Sequence, residues 1–168
     1  NDIVGGLRIS QGITGSGLLD RTASTGTLKF RLQNINNFYT PNHINCLASF
    51  VVGTKVVALV GIYPSNYYGF TGTISQIDPV YVSGLINYVD VTVVDYIDTL
   101  ARHELQLPSF AQNKKMEEVV ALIIANMPVA PEDVSYGTGQ DTFATVFDTT
   151  RSTTRALTEI AKVTQSEL

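Results

Sequence analysis

Along the first two-thirds of the chain, apolar and polar residues trade places every second position in short runs broken by glycine and polar turns, as half-buried strands require. Thr27 to Gln33 is the clearest run. Leu28, Phe30 and Leu32 fall on one side, Lys29, Arg31 and Gln33 on the other, and the first three are expected in the core. Asn34 to Asn42 breaks the pattern with four asparagines and Pro41, a turn-forming composition that predicts a surface loop. Lys55 to Ile62 is a continuous valine-rich run between Gly53 and Pro64, and predicts a strand buried on both faces. Phe70 to Ile77 alternates again, with Phe70 and Ile74 opposite Thr71, Thr73 and Ser75. Gly72 marks a bulge or a close backbone approach there, and Pro79 is expected to end the strand.

Asn87 to Val94 sets Val89, Val91 and Val93 against Asp90 and Thr92, then meets Asp95, a residue suited to cap a helix. Asp98 adds negative charge to the first turn of a short helix, Tyr96 to Arg102, whose Ile97, Leu100 and Ala101 would face the sheet. After His103 the period changes. Met116, Val119, Val120, Ile123, Ile124 and Met127 recur at three- and four-residue steps and predict a helix over about 114–126, capped by Asn113, favoured by Glu117 and Glu118 and stopped by Pro128. A polar connection, Pro131 to Gly139, leads to a strand at Thr142 to Phe147 and a last helix from Ser152 or Thr153 that buries Leu157, Ile160, Ala161 and Leu168. The change of period near His103 to Pro108 marks a candidate boundary between two domains, taken as 1–104 and 105–168, in an α+β, mainly β fold.

The chain's 168 residues can bury one substantial core, and a composition 44% hydrophobic and only 15% charged makes a surface suited to protein contacts. A net charge of −4 leaves no basic footprint for nucleic acid or anionic lipid. The longest apolar runs, Val56 to Ile62 and Val119 to Ala125, fall short of the ~18 residues of a membrane helix. The single cysteine, Cys46, excludes an intrachain disulfide and reads as a buried thiol suited to a reducing cytosol. The start at Asn1, without a basic and apolar leader, and the uncapped stop at Leu168 suggest a segment of a longer protein.

Chemistry is sparse. His43 and Cys46 form H-x-x-C, but two ligands do not make a zinc site, and a Cys46 nucleophile would need His103 as base and Asp95 to orient it, with no local signature for either. The glycines from Gly12 to Gly17, and Gly137-Thr138-Gly139, lack the lysine and the strand–helix setting of a phosphate loop and read as turns. Asp90, Asp95 and Asp98 are accounted for by a solvent-facing strand position and by helix capping. No cofactor, metal or enzymatic activity is expected. Tyr63, Tyr67, Tyr68, Tyr81 and Tyr88 cluster near strand ends. The first four are the candidate contact residues, for a protein interface or, alternatively, for the sugar rings bound by a carbohydrate-binding or adhesin module.

Four stretches then occur in order: Thr25-Gly26-Thr27-Leu28-Lys29-Phe30-Arg31-Leu32-Gln33-Asn34 with Phe38-Tyr39-Thr40-Pro41; Gly53-Thr54-Lys55-Val56; Phe70-Thr71-Gly72-Thr73-Ile74-Ser75-Gln76-Ile77-Asp78-Pro79; and Val91-Thr92-Val93-Val94-Asp95-Tyr96-Ile97-Asp98-Thr99-Leu100. Together they resemble the tube-like domain of bacteriophage tail-hub, or baseplate-hub, proteins, and Thr142 to Asp148 with Thr154 to Leu168 is similar to the opening of the hub's second domain. The chain departs from the pattern in its asparagine-rich loop, where the family often carries Asp-Gly. The resemblance implies a tail-tube-like β-barrel or sandwich with a flanking helix, followed by part of a smaller α+β domain. It also implies a homotrimeric ring in the phage tail of the virion, made in the host cytoplasm. Such a ring would join the tail tube to distal tail and spike or tip proteins and let DNA pass without specific binding. It supplies no catalytic residue.

Overall fold

A computed structural model describes residues 2–13, 23–62, 65–81, 87–105 and 113–129, with residues 131, 135, 137, 138, 142, 143, 154, 155, 158 and 160. The chain divides into two compact units, Asn1–Gly12 with Ser24–Tyr96, and Ile13–Ala23 with Ile97–Leu168.

The first unit is a five-stranded sheet in the order β1-β2-β5-β4-β3, made of β1 (Ile3–Ile13), β2 (Ala23–Gln33), β3 (Lys55–Ile62), β4 (Ser65–Tyr81) and β5 (Asn87–Val94). β5 is central and runs antiparallel to both β2 and β4, and β3 runs antiparallel to β4. The sheet curls into an open half-barrel.

Register explains the core. Leu28, Val93 and Ile74 stand in one row across the three inner strands, Phe30, Val91 and Ile77 in the next, and Leu32, Val89 and Pro79 in a third. The alternation of β2 and β5 thus does what the sequence predicts, with Leu28, Leu32, Val89, Val91 and Val93 buried and Phe30 packed against them from a half-buried position. β4 keeps its apolar side chains on that face although Ile74 and Ile77 are three apart, because a bulge at Ser75 inserts one residue and resets the parity. The Ser75 hydroxyl donates to the Thr92 carbonyl at 3.1 Å there. Gly72 is the close approach its sequence context predicts, since a Cβ there would run into the Val94 carbonyl oxygen.

Two strand expectations are corrected. Pro79 does not end β4, which continues to Tyr81. β3 pairs with β4 only over Ser65 to Thr73, so beyond it β4 is itself an edge among the described residues, where proline needs no partner for the N–H it lacks. Nor is β3 buried on both faces. Among the described residues it is an edge strand, in which Ala58 is buried while Val57, Leu59 and Val60 face solvent.

The segment 34–54 joins β2 to β3, which are separated in the sheet by β5 and β4, so it must cross both. It does so as a chain of tight turns, including a 3-10 turn at Ile35–Asn37, with Asn36, Asn37 and Asn42 in the left-handed region that asparagine tolerates. Its surface character is not uniform. Asn34 is buried, Phe50 is buried in the core cluster, and Tyr39 packs on that cluster edge-on to Phe50.

The second unit contains most of α1 (Tyr96–Arg102) with buried Leu100 and half-buried Ile97 and Ala101, α2 (Met116–Ala125), and four two-residue strands, β6 (Glu104–Leu105), β7 (Lys114–Lys115), β8 (Thr142–Phe143) and β9 (Thr154–Arg155). β6 pairs with β9 and β7 with β8, each antiparallel. Val119, Ile123 and Met127 are buried, as the helical spacing predicts. Asn113 is not the cap. Lys114 and Lys115 are held as strand by β8, so the helix begins at Met116, with the Glu118 carboxylate taking the Lys115 N–H at 2.9 Å. The last helix does not begin at Ser152 or Thr153, because Thr154 and Arg155 pair with β6; Thr158 and Ile160 are helical. Of the expected strand 142–147, residues 144–147 lie outside the described residues, as do Leu157, Ala161 and Leu168.

Candidate interaction surface

The side chains a reaction would use are occupied in structure. His43 Nδ1 accepts the Asn45 N–H at 3.1 Å, and its Nε2 lies 3.4 Å from the Asn37 amide nitrogen. Cys46 is half-buried rather than buried, with its thiol 3.7 Å from the Leu47 carbonyl oxygen. The Asp95 carboxylate accepts the Gly26 N–H at 2.8 Å while the Asp95 N–H donates to the Gly26 carbonyl at 3.1 Å, a two-way clamp between the ends of β2 and β5. His103 belongs to the second unit. Asp98 pairs with Arg102 one helical turn on, and no group of three or more histidine, cysteine or acidic residues could hold a metal among the described residues. Gly12 lies within β1 instead of in a turn, and residues 14–17 lie outside the described residues.

The sheet face opposite the core is polar and self-neutralising. Arg31 grips Asp90 with two bonds, of 2.6 and 2.7 Å, and lies over the Tyr88 ring. Asp78 stands directly across from Asp90 on the other flank, with Gln76 donating to it at 3.1 Å. The Arg31 guanidinium holds Asp90 below the ordinary carboxylate range, mainly through those hydrogen bonds.

The motifs of the sequence meet at one end of β5. Thr27 and Thr73 both stand opposite Val94, Gly72 lies against its carbonyl, and Gly26 is clamped by Asp95. Three stretches far apart in the chain therefore share one strand junction, which gives their glycines and the aspartate a common packing reason.

Tyrosine 39 ties down the start of the chain: its hydroxyl donates to Asp2 at 2.5 Å, and the Asp2 carbonyl accepts the Gln33 N–H at 2.7 Å. The hydrogen bond to Asp2, with some burial, pushes the Tyr39 phenol up to about 12. A folded value above the unfolded one means that this bond's contribution is complete below about pH 10 and is lost as pH rises through the folded value. Following phenolate absorbance on raising pH is expected to show a late-titrating tyrosine that Tyr39→Phe removes and Asp2→Asn returns toward the ordinary range, beside Tyr96, whose phenol burial also raises; a late titration that loses no component in Tyr39→Phe would refute the assignment.

Of the four candidate contact tyrosines, Tyr67 and Tyr81 are 69% and 68% exposed. They stand fourteen residues apart on β4, roughly 45 Å along the strand, and so share no single platform. Tyr63 and the side chain of Tyr68 lie outside the described residues. Sequence reasoning missed a larger set. The β1 edge exposes Ile3, Val4 and Leu7, the β3 edge exposes Val57, Leu59 and Val60, and the 34–54 crossover exposes Ile35, Phe38, Ile44, Leu47, Val51 and Val52. Ile44 is 95% exposed, yet its backbone neighbours are fixed by the His43–Asn45 bond and by the Asn45 amide on the Asn36 carbonyl at 3.2 Å. One signal was available: from Asn34 to Thr54 there is no Asp, Glu, Lys or Arg.

No protein-family model and no curated protein sequence matches the chain. Among solved structures it is similar to the E. coli c3393 protein, described as a component of the type VI secretion system with structural similarity to the T4 bacteriophage tail proteins gp27 and gp5. The likeness has a TM-score of 0.56 at 9% sequence identity and covers 96% of this chain but 39% of that protein, so the chain spans about two-fifths of its length. The curled mainly β sheet and this likeness agree with the fold that the motif resemblance implies, and the chain shares its fold with that tail-related protein.

Proposed function

We propose that the chain is a structural, non-enzymatic component of a phage tail hub or baseplate. Copies of it, three by the family resemblance, form a ring that joins the tail tube to distal tail and spike or tip proteins and surrounds the path of DNA in the virion. The observation that carries this reading is the fold likeness over 96% of the chain. Two features support it. The half-barrel is open, which leaves apolar edges for other subunits. Its polar face is self-neutralised by the Arg31–Asp90 pair, and the net charge of −4 offers passing phosphates little attraction. The carbohydrate reading has less behind it, because Tyr67 and Tyr81 point to no common sugar platform.

Native mass spectrometry across a concentration series, with imaging of tail particles, tests the proposal. A closed oligomer, and its density between tube and tip, are expected. A strict monomer at high concentration that is missing from purified tails would remove the reading.

A further inference from the structure

The crossover 34–54 carries a short repeat in its sequence that the fold turns into one surface. Ile35-Asn36-Asn37-Phe38 and Ile44-Asn45-Cys46-Leu47 share an order, isoleucine and asparagine followed two positions later by a large apolar residue, at an offset of nine. The Leu47 N–H donates to the Phe38 carbonyl at 3.0 Å, and the Asn45 amide donates to the Asn36 carbonyl at 3.2 Å. Equivalent positions of the two stretches are thus tied together, and the stretches lie side by side in the same direction. Their four apolar side chains are all exposed, as are Val51 and Val52 further along the crossover. Single exposed aliphatic residues are ordinary, but a group of them fixed on tight turns marks a contact surface.

The chemistry of the surface narrows what can cover it. No side chain from Asn34 to Thr54 is acidic or carries a lysine or arginine charge. Its polar side chains are engaged within the crossover: Asn34 with Tyr39 and Thr40, Asn45 with Asn36, and Thr54 with the Ser49 carbonyl. A protein interface carries about one hydrogen bond per 100–200 Å² and draws its strongest contacts from Trp, Tyr and Arg. This surface presents aliphatic groups and a phenyl ring instead. Hydrocarbon rewards that set without any need for matched shape, and it penalises charge and unpaired polar groups, which are the features the crossover lacks.

We propose that the crossover is a lipid-contact surface. Ile35, Phe38, Ile44 and Leu47, with the two valines, reach the acyl boundary of a bilayer while the turns that hold them stay at headgroup level. The headgroups it suits are zwitterionic, because a net charge of −4 and a crossover without lysine or arginine give no attraction to anionic lipid. The contact is peripheral, since no helix among the described residues is long and apolar enough to cross a membrane. Each copy carries its own surface, so the contact does not require the ring; a ring would present several at once and hold the bilayer more tightly.

The sequence has no tryptophan, so Ile44→Trp places a single indole reporter at a position 95% exposed. Mixed with phosphatidylcholine vesicles, the full chain is expected to float with them in a density gradient to the same extent at low and high salt. The indole emission of Ile44→Trp is expected to shift to the blue and to be quenched by lipids brominated along the acyl chain. Ile35→Asp combined with Ile44→Asp is expected to keep the native circular dichroism and to weaken vesicle binding roughly tenfold or more, the worth of losing one inserted aliphatic side chain. Val129→Asp, at an exposed position outside the crossover, is expected to leave binding unchanged. A chain that stays unbound, an indole whose emission does not move when the chain floats, or binding that disappears at high salt overturns the proposal. If vesicles are ignored and the double aspartate variant is instead shut out of purified tails, the surface belongs to a protein neighbour; lipid contact falls while the ring reading stands.

Discussion

Gly72→Ala is expected to destabilise the first unit by about 3 kcal/mol and to lower its melting temperature by roughly 10 °C. The added methyl group has nowhere to go. It would overlap the Val94 carbonyl oxygen and lie 2.8 Å from the Phe70 ring, and the first of these is backbone that β2, β4 and the Asp95 clamp all hold in place. Relief therefore requires separating β4 from β5 where Thr73 and Thr27 flank Val94. Gly69→Ala is the control. Its Cβ would come within 2.5 Å of a Val60 methyl group, but Val60 is exposed and can rotate away, so the cost is expected to stay below about 1 kcal/mol. Equal losses for the two substitutions in thermal or urea unfolding would show that the β5 junction is less rigid than its geometry indicates.

That junction also shows how far the sequence could be read. β2 and β5 were legible because each buries one face along its whole length, so Leu28 and Leu32, and Val89, Val91 and Val93, report their own surroundings through alternation. The end of β4 was not. Whether proline stops a strand depends on whether a neighbour needs its N–H, and nothing near Pro79 records that β3 stops pairing at Thr73. β3 was misread for a related reason. A run of valines is equally compatible with burial on both faces and with an edge that keeps its apolar side chains for another chain, and only the strand order separates the two. In the second unit the apolar spacing of α2 predicted its buried face, while its first residue was set by β8, about thirty positions away in sequence.

The candidate surface was legible only in part. Tyrosines draw attention because the residue type is informative on its own, and Tyr67 and Tyr81 are indeed exposed. Isoleucine, leucine and valine carry no such mark, since their usual place is the core. Ile44, Leu59 and Val4 became visible as contact candidates only when the fold placed them outside. The absence of charge over 34–54 was the local clue, and it fits a segment with two jobs: Tyr39 and Phe50 cover the sheet, and Ile44 and its neighbours face outward.

Asn34→Ala is expected to cost about 1–2 kcal/mol, because it takes a buried side chain away from two half-buried partners at once. Asn34 is 3% exposed; its carbonyl oxygen accepts the Tyr39 N–H at 2.8 Å, and its amide donates to the Thr40 hydroxyl at 2.7 Å. Its own N–H on the Asn87 carbonyl, at 2.8 Å, is backbone and survives the substitution, so β2 and β5 stay joined while the crossover loses its first anchor. The loss should therefore be local before it is global. Hydrogen exchange is expected to quicken most at Tyr39 and Leu47, whose amides close the crossover, and far less at Val91 in the sheet centre. Asn34→Asp separates the two bonds, since it keeps an acceptor for Tyr39 and lets the Thr40 hydroxyl turn round to donate, but it buries a charge. Its stability is expected to improve as the carboxyl is protonated at acid pH, whereas that of Asn34→Ala shows no such gain. Uniformly faster exchange across the sheet and the crossover in Asn34→Ala would mean that the crossover and the half-barrel unfold as one body.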